Sequence, residues 1–202
     1  MRNQLSSCPC KRRSKKHERG AGLIVVIIVI AFMLSVGLAV ITLTSSGTQV
    51  SGNLRLQEHA FEAAEAGFDA AWLALGDFFD NAGWTTFESH YVLEPYGIDI
   101  PIDQNYFRKQ TDMEVMNLIG DYANGTATSA NVLFYKQPYV PLQGGGYDPD
   151  HTYTAFLIND EAGGGDPNPM DALLVCIGVV DLGGSITTSR LEIELVVEQP
   201  GT

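Results

Sequence analysis

Hydrophobic residues form one unbroken segment, residues 21–42, in which nearly every position is apolar. No charged residue occurs from Ala21 to Asn53. A helix rises about 1.5 Å per residue, so the 21 residues Ala21–Ile41 span roughly 31 Å, close to the thickness of a bilayer core. The apolar region of a secretory signal is shorter, about 7–15 residues. The length therefore predicts a transmembrane helix rather than a removable signal or a buried core helix.

The pattern beyond this segment, over residues 43–79, continues as an amphipathic helix. Bulky apolar residues recur at intervals of three, four and seven, and no proline occurs between Pro9 and Pro95. The acidic residues fall mainly on other faces. We therefore predict one long helix whose upper half packs on a domain through an apolar stripe that includes Leu54, Phe61, Phe68, Trp72 and Leu75.

Residues 80–202 predict a small acidic domain that contains strands. The patterns typical of strands lie at 130–136, 151–160, 171–180 and 189–199, with a hairpin turn at 182–185 and a short helix at 111–120. The rest of residues 80–130 has mixed loop signals. The expected fold class is therefore α+β, with a long N-terminal helix packed on a small antiparallel β-sheet.

Charge divides the chain into a basic head and an acidic body. Residues 1–20 have seven Lys or Arg and one Glu, a net charge of +6, which leaves −18 for the rest of a chain whose total is −12. Such an acidic body repels phosphate backbones, which argues against direct nucleic-acid binding. Basic residues beside an apolar segment usually stay in the cytoplasm, so we expect the body on the other side of the membrane.

Residue types that serve catalysis occur here without a recognisable pattern. The four histidines lack the HExxH spacing, no GxSxG motif is present, and the GGG runs at 144–146 and 163–165 lack the Lys-Ser/Thr of a phosphate-binding loop. Cys176 is the lone cysteine of the body and lies in an apolar run, which is typical of a core residue. We therefore expect no enzyme and no cofactor.

Two acidic, Gly-rich loops, residues 144–152 and 159–171, allow one alternative. Calcium takes about six to eight oxygen ligands from flexible loops, and the candidate ligands here are Asp148, Asp150, Asp160, Glu161 and Asp166. Neither loop follows the EF-hand pattern, and surface turns are commonly rich in Asp, Asn and Gly. Plain surface loops and a contact surface for a partner protein are the other interpretations.

Three sequence features around the apolar segment carry a family resemblance. The basic head ends in Arg19-Gly20, the segment opens AGLIVVIIVI, and residues 51–71 read SGNLRLQEHAFEAAEAGFDAA. The first is similar to the end of a class III prepilin leader. The last is similar to a pattern of GN, Arg and then AF-AAEAG on an emerging helix. Residues 19–75 thus resemble PilX-like minor pilins of the type IV pilin superfamily, and the domain beyond them resembles pilins only in its architecture.

The resemblance implies that a membrane prepilin peptidase removes residues 1–20. The cut would follow Gly20 and leave Ala21 as a methylated N-terminus, with a cut after Gly22 as the alternative. The apolar helix would then stay with the protein, first as an anchor in the lipid bilayer and later in the core of a filament. The positions expected to make these contacts include Leu23, Val25, Ile28 and Phe32.

The resemblance also implies partners and a location. The partners are the prepilin peptidase, other minor pilins, the major pilin, the inner-membrane assembly platform and a tip adhesin. The protein would sit in the inner membrane as a single-pass protein, with a cytoplasmic N-terminus and a periplasmic domain, before it enters a pilus.

One departure from the pilin pattern is informative. Most pilins have Glu as the fifth residue after the cut, whereas this chain has Val25 and no acid from Ala21 to Gln57. An unpaired carboxylate in lipid is costly, so a subunit with no neighbour to neutralise it does better without one. We therefore expect a minor pilin that takes part in pilus assembly, initiation or tip presentation. The alternatives are a type II secretion pseudopilin and a single-pass anchored periplasmic enzyme or sensor.

Overall fold

The computed structural model describes residues 18–159 and 168–197 and divides the chain into two compact units, residues 1–51 and 52–202. Helix α1 (Glu18–Asp80) contributes to both units. The described part of the first unit consists of this helix. Its segment Gly22–Thr42 is long and apolar enough to cross a membrane. The helix continues without a break through residues 43–51, where Ser, Thr and Gly are frequent.

The second unit has an α+β fold, as the sequence predicts. After α1 come a 3₁₀ turn, η1 (Phe107–Lys109), helix α2 (Asp112–Ile119), and strands β1 (Gly120–Asp121), β2 (Thr126–Ala127), β3 (Val132–Pro138), β4 (His151–Ile158), β5 (Asp171–Asp181) and β6 (Ile186–Val196). Strands β1 and β2 form a small hairpin, and the other four form one sheet in the order β3-β4-β5-β6.

The sheet is an antiparallel meander, each strand pairing with the next along the chain. Strands β4 and β5 pair in register from His151 opposite Val180 to Ile158 opposite Leu173. The predicted turn at residues 182–185 joins β5 to β6. Strand β3 is irregular, because its pairing with β4 shifts twice and Lys136 adopts a positive φ of 47°. The four predicted strand patterns thus fall on β3 to β6.

Both faces of the sheet are buried within the second unit. Successive side chains of a strand point to opposite faces, and β5 is buried continuously from Ala172 to Val180. One face packs against α1, and its buried cluster contains Ala71, Leu75, Phe87, Tyr91, Ala155, Leu157, Ala172, Leu174, Cys176 and Leu195. The other face packs against α2 and the segment before it, and its cluster includes Val92, Ile98, Phe107, Val115, Met116, Ile119, Phe156, Val175 and Ile177.

Helix α2 begins with a capping box and is tied to the sheet by an arginine. The Thr111 side chain accepts a hydrogen bond from the Glu114 backbone, and the Glu114 carboxylate accepts one from the Thr111 backbone at 2.8 Å. Such reciprocal bonds satisfy free amide groups at a helix start. Arg190 of β6 then reaches Asp112 at 2.7 Å and also donates to the Phe107 carbonyl at 3.0 Å. The layer over this face is therefore held by polar contacts as well as by apolar burial.

Candidate functional site

The first candidate site is the apolar segment Gly22–Thr42 of α1, of which no part is buried in the structure. The four positions expected to contact lipid or filament neighbours are each more than half exposed: Leu23, Val25, Ile28 and Phe32. Exposed apolar surface on this scale is unfavourable in water and favourable in lipid or against other apolar helices. The segment therefore needs an apolar environment, which a bilayer or a bundle of helices supplies.

The hydroxyl groups in and just after this segment are compatible with an apolar surrounding. Ser35 Oγ donates to the Ala31 carbonyl at 2.9 Å, and Thr44 Oγ1 donates to the Val40 carbonyl at 2.8 Å. An unsatisfied polar group costs several kcal/mol in hydrocarbon, in order of magnitude. Because these two hydroxyls bond within their own helix, they bring no such cost.

In the second unit, α1 meets the sheet through small side chains. The positions Ala60, Ala63, Ala64 and Ala71 are completely buried. A Cβ placed on Gly178 of β5 would overlap the Ala60 carbonyl and lie 2.9 Å from the Ala63 Cβ, and one placed on Gly67 of α1 would lie 3.1 Å from the Tyr153 Cβ. Glycine is thus required at Gly178, because strand and helix backbones approach too closely there for any side chain. At Gly67 the fit is tight, and the Tyr153 ring would have to move slightly to admit a Cβ.

The buried face of α1 differs from the bulky stripe that the sequence predicts. Leu75 is buried and Phe68 is half-buried against the sheet cluster. In contrast, Leu54, Phe61 and Trp72 have exposed fractions of 61%, 43% and 58%. The bulky residues do lie on one helix at the predicted spacing, but the small residues between them make the closest contact with the sheet. The run AAEAG is the sequence signal for this face, since small residues allow backbones to approach closely.

Comparison with known families bears on the same stretch of α1. Residues 19–69 match the family model described as PilX N-terminal, which spans the apolar helix and the alanine-rich face that follows it. Over these residues the chain is PilX-like, which supports a type IV minor pilin. No curated protein and no solved structure matches the chain. The N-terminal apolar helix and the family match together describe a membrane-anchored pilus component.

In this PilX-like chain the expected processing residues lie at the start of α1. Gly20 and Ala21 are in the first turn of the helix, directly before the apolar segment. Val25, which the resemblance aligns with the Glu of most pilins, is exposed. The acidic residues Glu58, Glu62 and Glu65 appear only later along the helix, where their side chains are exposed on the second unit.

The calcium candidates of the second unit fall partly within the described structure. Asp148 accepts a hydrogen bond from the Asp150 backbone at 3.0 Å and lies 3.0 Å from His151 Nδ1. These hydrogen bonds lower the pKa of the Asp148 carboxyl below its usual value. Asp160, Glu161 and Asp166 lie outside the described residues. Within residues 18–159 and 168–197 no three His, Cys, Asp or Glu side chains are grouped to hold a metal. Calcium binding therefore stays a prediction.

The cysteine of the second unit is a core residue. Cys176 is buried on the α1 face of the sheet, and burial raises the pKa of its thiol to about 12. The thiolate is the reactive form of cysteine, so this residue is unsuited to nucleophilic or redox chemistry at neutral pH. Its place in the fold is to fill the layer between α1 and β5.

Proposed function

We propose that this PilX-like chain is a structural, non-catalytic subunit that takes part in initiating a type IV pilus or in presenting its tip. The observation that supports this best is the acid-free apolar segment of α1. It is exposed over its whole length, and it lies in the part of the chain that matches PilX. A helix of this kind can pass from a bilayer into a bundle of like helices without a change in its own structure.

Val25 supports a place at the end of a filament rather than along it. A new N-terminus at Ala21 would carry a positive charge, and the chain offers no carboxylate from Ala21 to Gln57 to pair with a neighbour's N-terminus. A carboxylate in lipid is unfavourable until such a pair forms. A subunit that lacks it can wait in the membrane without a neighbour, which suits an initiating complex.

This proposal assigns different partners to the two units. The prepilin peptidase and the assembly platform would act on the first unit in the inner membrane. Other minor pilins and the major pilin would pack on the apolar helix. The acidic second unit, which begins in the periplasm, would face outward and contact a tip adhesin.

The first test is the mature N-terminus of the membrane-extracted protein, made with and without a co-expressed prepilin peptidase. We expect intact mass and N-terminal sequencing to give a start at Ala21 only when the peptidase is present. Gly20→Ala should block the cut, and the matched variant Gly22→Ala should leave it unchanged. An uncut chain in both samples would contradict the proposal and favour an anchored periplasmic domain instead.

The second test is the position of the subunit in assembled filaments. We expect gold-labelled antibodies against the second unit to mark pilus ends, and deletion of the gene to reduce the number of pili. Labelling along the whole shaft would contradict a tip position. Loss of protein secretion with normal pili would favour the type II secretion alternative.

A further inference from the structure

An apolar groove opens on the second unit between the C-terminal part of α1 and the end of β6. Its volume is about 340 Å³, within the range of ligand-binding clefts. Trp72, Leu75, Phe79 and Phe87 line it from one side, and Leu195 and Val196 from the other. The floor is buried and the rim is not. Leu75 is only 4% exposed, whereas Trp72 and Val196 have exposed fractions of 58% and 65%.

The walls of the groove are held in place by contacts on both sides. The Phe79 and Phe87 rings meet edge to face with centroids 5.3 Å apart, and the Phe87 backbone donates to the Pro169 carbonyl at 2.7 Å. Leu195 pairs with Ala172 in the sheet. A preformed groove costs little conformational entropy when it is filled, so more of the contact energy remains for binding.

The chain segments that line the groove contain acidic residues but no Lys or Arg. All its lining residues come from two stretches without Lys or Arg, the residues between Arg55 and Arg108 and those after Arg190. The first stretch contains ten Asp or Glu. Exposed Asp69 and Asp80 are close along α1 to the lining residues Trp72 and Phe79, and exposed Glu194 lines the groove itself. An apolar cleft with an acidic rim favours a ligand that is apolar at its centre and positive at its edges.

We infer that this groove is a docking site for a segment of a partner protein that inserts a large apolar side chain and has Lys or Arg on either side of it. Trp72 is the main contact, because Trp is among the residues enriched at binding hot spots and its ring would be desolvated once a segment fills the groove. The acidic rim orients the segment and speeds its association. The site belongs to the second unit alone, so it does not require that the leader be cleaved or that the chain enter a pilus.

The experiment uses two matched peptides and the full chain in nanodiscs of zwitterionic lipid, since detergent could fill the groove. Each peptide has the core Leu-Phe-Leu, flanked by two Lys residues on each side in one and by two Glu residues in the other. Binding is followed by the fluorescence anisotropy of a dye on the peptide, with empty nanodiscs as the blank. We expect the Lys peptide to bind at least about tenfold more tightly and to weaken as salt is raised.

Two variants on one helix locate the site. Trp72→Ala should weaken the Lys peptide by roughly tenfold or more. Leu73→Ala removes a neighbouring side chain that is 74% exposed and not part of the groove, and it should leave binding unchanged. Equal binding of both peptides would overturn the proposal in favour of a general apolar ligand. An unchanged affinity of the Lys peptide for Trp72→Ala would also overturn it. So would self-association of the chain through this groove, dependent on its concentration, in place of peptide binding.

Discussion

Gly178 of β5 lies directly against the backbone carbonyl of Ala60 in α1, so that no side chain fits between strand and helix at this point. Gly178→Ala must therefore separate the two elements or displace one of them. We expect the substitution to lower the free energy of unfolding by about 3 kcal/mol, at the upper end of overpacking effects. Urea unfolding of the detergent-solubilised chain, followed by tryptophan fluorescence, measures the change.

The matched control is Gly76, a glycine of α1, the helix that Gly178 contacts. A Cβ on Gly76 of α1 would have no atom within 4 Å. Gly76→Ala should therefore leave stability unchanged or raise it by up to about 1 kcal/mol, because Ala favours helix. An equal loss in both variants would show that the contact at Gly178 is not specific.

Arg190 holds α2 and η1 onto the sheet through one side chain. Its side chain is 15% exposed, contacts Asp112 at 2.7 Å, and also donates to the Phe107 and Gln110 carbonyls at 3.0 and 3.2 Å. Arg190→Ala would leave a carboxylate and two carbonyls without these donors. We expect it to lower the free energy of unfolding by about 3 kcal/mol, measured by the same urea titration.

Arg108 provides the comparison for this ion pair. It contacts Glu192 at 3.0 Å, but its side chain is 43% exposed, and exposed pairs contribute less than about 1 kcal/mol. Arg108→Ala should thus have the smaller effect. A double-mutant cycle with Arg190→Ala and Asp112→Asn should give a clear coupling energy. A coupling near zero would mean that Arg190 stabilises the fold through its carbonyl contacts instead.

The Cys176 thiol should be protected from alkylation in the folded protein. Its pKa is raised to about 12 by burial, so at pH values near 8 it is almost entirely protonated and shielded from reagents. We expect iodoacetamide to leave Cys176 unmodified in native protein and to modify it in urea, as seen by peptide mass spectrometry. Rapid modification of the native chain would show that α1 separates readily from the sheet.

Alkaline stability should depend on two tyrosines on the α2 side of the sheet. Burial is the main cause that raises the pKa of Tyr122 and of Tyr135 to about 12. Tyrosine ionises near pH 10 in the unfolded chain, so the folded state keeps these protons longer. Their contribution is complete below about pH 10 and is lost as pH rises towards 12.

The double variant Tyr122→Phe, Tyr135→Phe removes both ionisable groups. Its stability should fall less steeply between about pH 10 and 12 than that of the parent chain. Tyr96, which is 75% exposed, provides the control, since Tyr96→Phe should leave the pH dependence unchanged. Identical slopes in all three proteins would count against this assignment. Thermal unfolding at a series of pH values gives the comparison.

The elements of this fold can be predicted from the sequence because their patterns are local. The proline-free stretch from Arg19 to Asp80 specifies a helix, and the turn at 182–185 between two apolar runs specifies the hairpin of β5 and β6. The run 171–180 is apolar at nearly every position, which agrees with a strand covered on both faces. These signals depend on neighbours in the chain, so no knowledge of tertiary structure is needed to interpret them.

The packing of these elements depends on contacts that no local pattern contains. Glu192 and Glu194 alternate with apolar residues in β6 as they would on a solvated face, yet Glu192 meets Arg108 from a segment 84 residues away. Likewise, bulky Phe61 and Trp72 suggest a buried stripe. The close approach of β5 to α1 at Gly178 instead leaves room only for the alanine face. The distance between two backbones decides which helix face is buried, and the helical period alone does not contain that distance.

The close contact between Gly178 and the backbone of α1 also fixes the position of α1 along its own axis. A shift by one turn, about 5.4 Å, would bring either Leu56 or Phe68 towards the place that Ala60 and Ala64 now occupy beside the glycine. Neither side chain fits where even a Cβ overlaps the helix backbone. Tension applied along the helix would therefore be resisted by a steric stop rather than by the sum of weak apolar contacts. A subunit pulled by its N-terminal helix would keep its domain in one position under load.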